Sequence, residues 1–445
     1  MLSAISRVFE KINIFFLSLL IATVLGTEVF AEFAVAMSYA LIMYSIVEVG
    51  GQQLFTYFNR DVGPITPRTL NALKFFIFIV LLPLTFISTL WTLTCLISLA
   101  YLVESFNNSM RFQLFHKGLY KKEALIYLAE RIVFFITIMI LYANWMFGFH
   151  LDYGVNDIFI FFGTLKLISF ITYYISTSNQ TNEISTNIDF QLFVTFIVKG
   201  KYFIVSAFVA SLFMQVDILI FSWLGGSDKE IALISAFIRL VTATFFVSTV
   251  FQQFILPKFK LLISNHDYFN LYEKNVRLFA FFLTLALMSL SNVYLLVFFG
   301  DNIVSEDPIS QLCVIILVMV FSRFCRDPIS LYLGQSDKNK VKVKVLSYLL
   351  PIKVVFVCLI YKVGGIPAAI SLIVLFDALV YFFFRYATSF ITIDKSYCVG
   401  VFLLTSFVFV VEYIPFEVRM SLATLSLIIA LTFFNKVTKP EVLFS

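Results

Sequence analysis

The sequence predicts an all-α polytopic membrane protein of about fourteen transmembrane helices, arranged as two six-helix lobes in parallel repeat plus a terminal helix pair. Three observations lead there. Only 13% of the 445 residues are charged and 60% are hydrophobic, with a mean hydropathy of +0.95; a soluble domain carries roughly 25% charged residues. Apolar runs of about 20 residues, the length that crosses one bilayer, recur along the whole chain. Finally, a pattern occurs twice: Leu25-Gly26 followed by Gln52-Gln53, and Leu224-Gly225 followed by Gln252-Gln253, these being the only Gln-Gln pairs present.

The first apolar run, Ile12 to Leu25, follows Arg7 and Lys11 as a secretion signal would. No small-x-small cleavage pattern succeeds it and further spans come at once, so it reads as the first membrane helix. Later spans centre near Leu41, Val80, Leu99, Ile136, Leu165, Leu212, Thr244, Leu287, Leu317, Val354, Ile373, Leu404 and Leu425. Backbone groups in lipid must bond within their own segment, so each run is a helix. Counting connections alternately leaves only Lys229, Lys362 and Arg419 on one side, while the other side holds the remaining loop cations, Lys74 and Arg111 among them. The positive-inside rule makes the basic side cytoplasmic and puts both termini there. The polar stretch Ser176 to Gln191 then separates an N-terminal lobe (1–176) from a linker (177–200), a second lobe (201–390) and a terminal pair with a cytoplasmic tail (391–445). Duplication of a six-helix unit explains the repeated hairpin and implies a cleft between the lobes.

Several chemistries are disfavoured. The net charge of +5 is the topology signal rather than a nucleic-acid footprint. The five cysteines lie in or beside apolar runs without paired spacing, and His116, His150 and His266 stand apart, so neither disulfides nor a metal site is expected. Asn179-Gln180-Thr181 matches a glycosylation sequon, but its cytoplasmic placement makes the match accidental.

Ionisable groups inside spans are functional candidates by default. Three helical hairpins each offer an acid and a base at one depth: Glu104 with Arg131, Asp217 with Arg239, and Lys353 with Asp377. Such a pair either holds its hairpin together or opens during transport; Asp217, binding a proton or sodium ion and releasing Arg239, is the candidate for opening. Lys166, near the midplane of the sixth span, has no partner at its level and is expected to face the cleft. Arg323 and Arg326 lie one turn apart in the tenth span, where they either bind an anion or snorkel to the headgroups. Glu48 reads as solvated or as a gate at the inner end of the second span. Gln53 and Gln252 suit sugar hydroxyls or interhelix hydrogen bonds.

LGTEVFAEFAVAMSYALIMYSIVEVGGQQ (Leu25 to Gln53) resembles the first hairpin of polysaccharide-transporter (Wzx-type, O-antigen) flippases, within the multidrug/oligosaccharidyl-lipid/polysaccharide exporter superfamily. VASLFMQVDILIFSWLGGSDKEIALISAFIRL (Val209 to Leu240) is similar to their seventh and eighth helices, and the run from Ser330 to Ser371, with its Gly-Ile-Pro-Ala-Ala turn, fits as well. The resemblance implies a non-enzymatic transporter of the bacterial inner membrane. It would turn an undecaprenyl-diphosphate-linked oligosaccharide from the cytoplasmic to the periplasmic leaflet, its lobes alternating around a cationic cavity. Lys166 is then the first choice to hold the diphosphate and Arg323 the second, with Arg326 beside it. Expected partners are the lipid-linked oligosaccharide, the bilayer and a polysaccharide polymerase of the same pathway, without nucleic acid. No cofactor is expected beyond a coupling proton or sodium ion, and a cleft within one chain needs no second subunit. A membrane polymerase or ligase is the rival enzyme, but every outer connection is too short to carry positioned catalytic groups. A multidrug exporter of the same superfamily is the other rival; its substrates are usually cationic, whereas Lys166, Arg323 and Arg326 favour an anion.

Overall fold

The computed structural model describes residues 2–48, 67–116, 118–148, 153–178, 190–255, 266–300, 313–335, 338–388 and 395–438. Fourteen successive crossings are laid out within them, each containing one of the span centres read from the sequence. In chain order these are α1 (Leu2–Leu20, extended by a π turn Ile21–Leu25), α2 (Thr27–Val47), α3 (Pro67–Leu81, continued by a 3-10 segment Leu82–Ile87) and α4 (Trp91–His116). Then come α5 (Tyr120–Met146), α6 (Val155–Ser178), α7 (Phe190–Trp223), α8 (Asp228–Ile255) and α9 (His266–Ser289, bent by 53° into Ser291–Phe299). Next is α10 (Val318–Gln335, entered through a 3-10 turn Cys313–Leu317). One helical run, Asn339–Ala387, supplies both α11 (339–364) and α12 (366–387), and α13 (Lys395–Val410) and α14 (Phe416–Thr438) close the chain.

Seven of the described helices, the merged run counting as one, are long and apolar enough to span a bilayer on length and composition alone, and the bent α9 pair makes an eighth. The outward faces are apolar: Phe76 and Phe86 are each 63% exposed, Ile140 60% and Val363 87%. Water would penalise such a surface and hydrocarbon does not, so the protein is a multi-pass membrane protein.

The chain divides into two compact units, Met1–Asp228 and Lys229–Ser445. In the first, α4 packs on α2, α3 and α6, α1 packs on α5, and α7 lies along α2. Helix α7 starts at Phe190, within the stretch that the polar composition suggests as a linker. At 34 residues it is about 50 Å long, well beyond a single hydrocarbon core of about 30 Å. In the second unit α14 packs on α9, and α13 on α9 and α10, so the terminal pair belongs to this unit's core. Phenylalanines join these helices: Phe279 of α9 lies 5.1 Å from Phe251 of α8 and 5.6 Å from Phe324 of α10, and Phe434 of α14 sits 5.3 Å from Phe251.

The doubled Leu-Gly has a backbone explanation. Gly26 (φ 94°) joins α1 to α2 and Gly225 (φ 80°) ends α7, so each Leu-Gly marks a helix end at a positive-φ glycine. After α7 the chain closes in the usual C-terminal manner: the Gly226 N–H donates to Phe221 O at 2.9 Å and the Gly225 N–H to Ser222 O at 3.3 Å. A third break divides α11 from α12. Gly365 takes φ 66°, ψ −162°, a region essentially reserved for glycine, and Pro367 follows it. A Cβ at Gly365 would meet only Pro367 Cδ at 3.8 Å, so a side chain there has room but a strained backbone. Gly365→Ala should therefore cost about 1–3 kcal/mol; the check is the apparent Tm of the detergent-solubilised protein, with Ala368→Gly, which touches no such backbone, as the comparison.

Candidate functional site

The first unit buries a continuous polar network. On α4 the residues Glu104, Asn108 and Arg111 follow i, i+4, i+7 spacing, and on α5 so do Glu123, Tyr127 and Glu130, with Arg131 beside them. That spacing gathers each set onto one helix face. The faces meet Lys166 of α6, whose ammonium is enclosed between Glu104 Oε2 and Glu130 Oε1. Arg131 completes the cluster, with Nη2 2.7 Å from Glu104 Oε1 and Nη1 3.7 Å from Glu130 Oε1. Two carboxylates thus face two cations, and their charges cancel. Arg131 also donates to the Tyr127 hydroxyl at 2.9 Å, which in turn donates to Glu10 of α1 at 2.6 Å. Asn13 and Asn107 donate to the backbone carbonyls of Arg131 and Lys166, at 2.8 and 3.1 Å.

The network continues toward the ends of α2 and α3. Arg111 Nε lies 2.7 Å from Glu123 Oε1, its guanidinium stacks 3.6 Å over the Tyr127 ring, and its Nη1 donates to Asn108 Oδ1 at 3.0 Å. Asn108 reaches Glu48 Oε1 at 3.4 Å and the Tyr44 hydroxyl at 3.0 Å. Glu48 also accepts from Ser105 and from Lys74 Nζ, the latter at 3.2 Å.

Several expectations are corrected here. Glu104 and Arg131 pair as their matching depth predicts, but Lys166 is not a lone cation: it shares Glu104 and adds Glu130. Matching acids to bases one hairpin at a time passes over Glu130, because its partner lies on α6 while Arg131 stands next to it in sequence. The polar periodicity of α4 and α5 was the available signal. Glu48 is enclosed rather than solvated, and Lys74 is a fully buried residue of α3 rather than a loop cation. Arg111 likewise sits inside α4.

The second unit is organised differently. Asp377 of α12 is buried and accepts from two arginines of α10: Arg323 Nε to Oδ2 at 3.1 Å, and Arg326 Nη1 to Oδ1 at 3.4 Å. Both guanidiniums turn inward to this carboxylate rather than toward headgroups. Arg323 also lies 5.7 Å from the Phe245 ring of α8, and its Nη1 has no hydrogen-bond partner among the described residues. Asp327 accepts from Ser248 of α8. The sequence pairs Asp377 with Lys353 at one depth; in the structure both oxygens of Asp377 accept from α10, and Lys353 is buried in α11. Depth along a helix is legible from residue counts, whereas the rotation that aims a side chain is set by packing. Asp217 of α7 and Arg239 of α8 are both buried, one in each unit. Gln53 lies outside the described residues; Gln252 lies in the last turns of α8, with its side chain outside them.

Fourteen crossings in two units, each holding buried charges, define a multi-pass membrane protein. The inward-closed conformation of the lipid II flippase MurJ has this fold, matching 98% of this chain and 100% of its own at a TM-score of 0.69 and 14% identity. An inward-facing multidrug resistance MATE family transporter of the MOP superfamily aligns over 92% of this chain and 96% of its own, at a TM-score of 0.57 and 12% identity. No protein-family model matches the sequence, and no curated protein matches it.

Lys166 binds the first unit together through a charge balance spanning three helices. Lys166→Met should cost about 3–5 kcal/mol, because it leaves Glu104 and Glu130 with Arg131 as their one cation. Adding Glu130→Gln should restore at least about 1 kcal/mol of this. Thermal unfolding of the two variants in detergent measures both effects.

Proposed function

We propose that the protein is a flippase of the MOP superfamily that carries an undecaprenyl-diphosphate-linked oligosaccharide, an O-antigen or related surface polysaccharide unit, across the bacterial inner membrane. Two lobes alternate in access, passing the headgroup from the cytoplasmic to the periplasmic leaflet while the lipid tail stays in the bilayer. Both termini then lie in the cytoplasm, and the protein acts as a monomer that hands its product to a polymerase.

One observation carries the choice of substrate charge: Arg323 and Arg326 converge on the buried Asp377, and with Asp327 and Lys342 beside them three cations stand against two carboxylates. An uncompensated buried charge is costly unless an opposite charge arrives, and guanidiniums match phosphate oxygens in geometry. Lys166, already matched by Glu104 and Glu130, gives way to the arginines as the diphosphate's holder. The likeness to MurJ, a lipid II flippase, over the whole chain supports a lipid-linked substrate. The likeness to a multidrug transporter supports the second reading, export of small molecules; the excess of positive charge counts against the cationic compounds such a transporter would move. Transport, rather than polymerisation or ligation, agrees with both.

The test is reconstitution in liposomes with a fluorescent lipid-diphosphate oligosaccharide. Wild type should move it between leaflets, and Arg323→Gln should slow this at least about tenfold, the loss of one charge-assisted contact of about 1.5–3 kcal/mol. Transport of a cationic dye with no movement of the lipid would instead establish the multidrug reading. For coupling, Asp217→Asn should abolish transport at normal membrane levels if Asp217 takes up the driving proton or sodium ion; sustained transport would make the Asp217 and Arg239 charges structural.

A further inference from the structure

At Asp377 two guanidiniums meet a single buried carboxylate. A guanidinium and a carboxylate bond best through two parallel N–H groups, one to one. Here one carboxylate serves two guanidiniums, each through a single nitrogen, at 3.1 and 3.4 Å. Arg323 Nη1 is left without a hydrogen-bond partner among the described residues, although the side chain is only 1% exposed. Adjacent charges do not correct the balance: with Lys342 and Asp327 included, three cations face two carboxylates. The site therefore holds more donors and more positive charge than its own carboxylates satisfy.

The backbone on both sides is interrupted. Pro328 follows Arg326 and Asp327 within α10, so one helical hydrogen bond is missing beside the arginines. Asp377 rides on α12, which begins at the Gly365 break and can pivot there without unwinding α11.

We propose that Asp377 is a built-in competitor for the substrate's phosphate: it holds the Arg323–Arg326 pair weakly, and a phosphate group takes the arginines from it by engaging N–H groups the carboxylate leaves unused. This rests on the flippase reading above and adds a role to the same site. Asp377 thereby sets how tightly the anion is held and returns to the arginines as the anion departs, which favours release on the far side of the membrane.

The probe is inorganic pyrophosphate, titrated into purified full-length protein by calorimetry. Asp377→Asn removes the competing charge and nearly preserves the shape, so it should bind pyrophosphate about tenfold tighter than wild type. Equal or weaker binding by this variant overturns the proposal, because a merely structural carboxylate would lower affinity when lost. Should the variant not fold, the wild-type protein carries the test: carbodiimide modification of Asp377, followed by mass spectrometry, should rise about threefold when pyrophosphate displaces the side chain. No rise overturns the proposal equally. Lipid flipping by the wild type is scored separately. Flipping without these effects removes only the role of Asp377, and pyrophosphate displacing Asp377 without flipping removes only the flippase reading.

Discussion

Hydrocarbon does not solvate ions, so a charge carried on a membrane helix has to find its counter-charge on a neighbouring helix. In the first unit this constraint organises α1 through α6. Lys166 ties α6 to both α4 and α5, and Arg131 returns the connection from α5 to α4. Tyr127 extends it to α1 through Glu10, while Asn108, Glu48 and Lys74 extend it to α2 and α3. Apolar packing cannot specify partners this narrowly, because lipid tails compete with leucine and phenylalanine on nearly equal terms. Polar pairing discriminates between neighbours, since a helix rotated by one residue would leave an ion unmatched.

The same constraint is met differently in the second unit. There aromatic rings join the helices as well, with Phe251, Phe279, Phe324 and Phe434 gathering α8, α9, α10 and α14. Tyr397 of α13 stacks 3.9 Å from Tyr381 of α12 and 5.5 Å from Phe321 of α10. The terminal pair is thus part of the scaffold that positions α10. Around Arg323 and Arg326, three cations, Lys342 included, stand against two carboxylates, Asp377 and Asp327. One unit is electrically closed around its lysine; the other keeps a surplus at its arginines.

Helix interruptions complete the arrangement. The π turn before Gly26, the 53° bend between Ser289 and Ser291, Pro328 within α10 and the Gly365 break all fall on crossings that carry or adjoin polar groups. Irregular backbone is tolerated in a membrane where protein surrounds it.

Much of this molecule is legible from residues alone. Spans follow from hydropathy because lipid forces the backbone to close its hydrogen bonds within each segment. The twin Leu-Gly turns follow from glycine's access to positive φ. The pairing of Glu104 with Arg131 follows from counting along two neighbouring helices at 1.5 Å per residue. Tertiary structure alone decided that Lys166 would be claimed by Glu104 and Glu130, that Glu48 would enclose Lys74, and that Asp377 would turn to two arginines. The physical reason is rotational. Sequence specifies how far along its axis a helix carries each charge, but the angle at which that charge leaves the axis is settled only when three or more helices pack together.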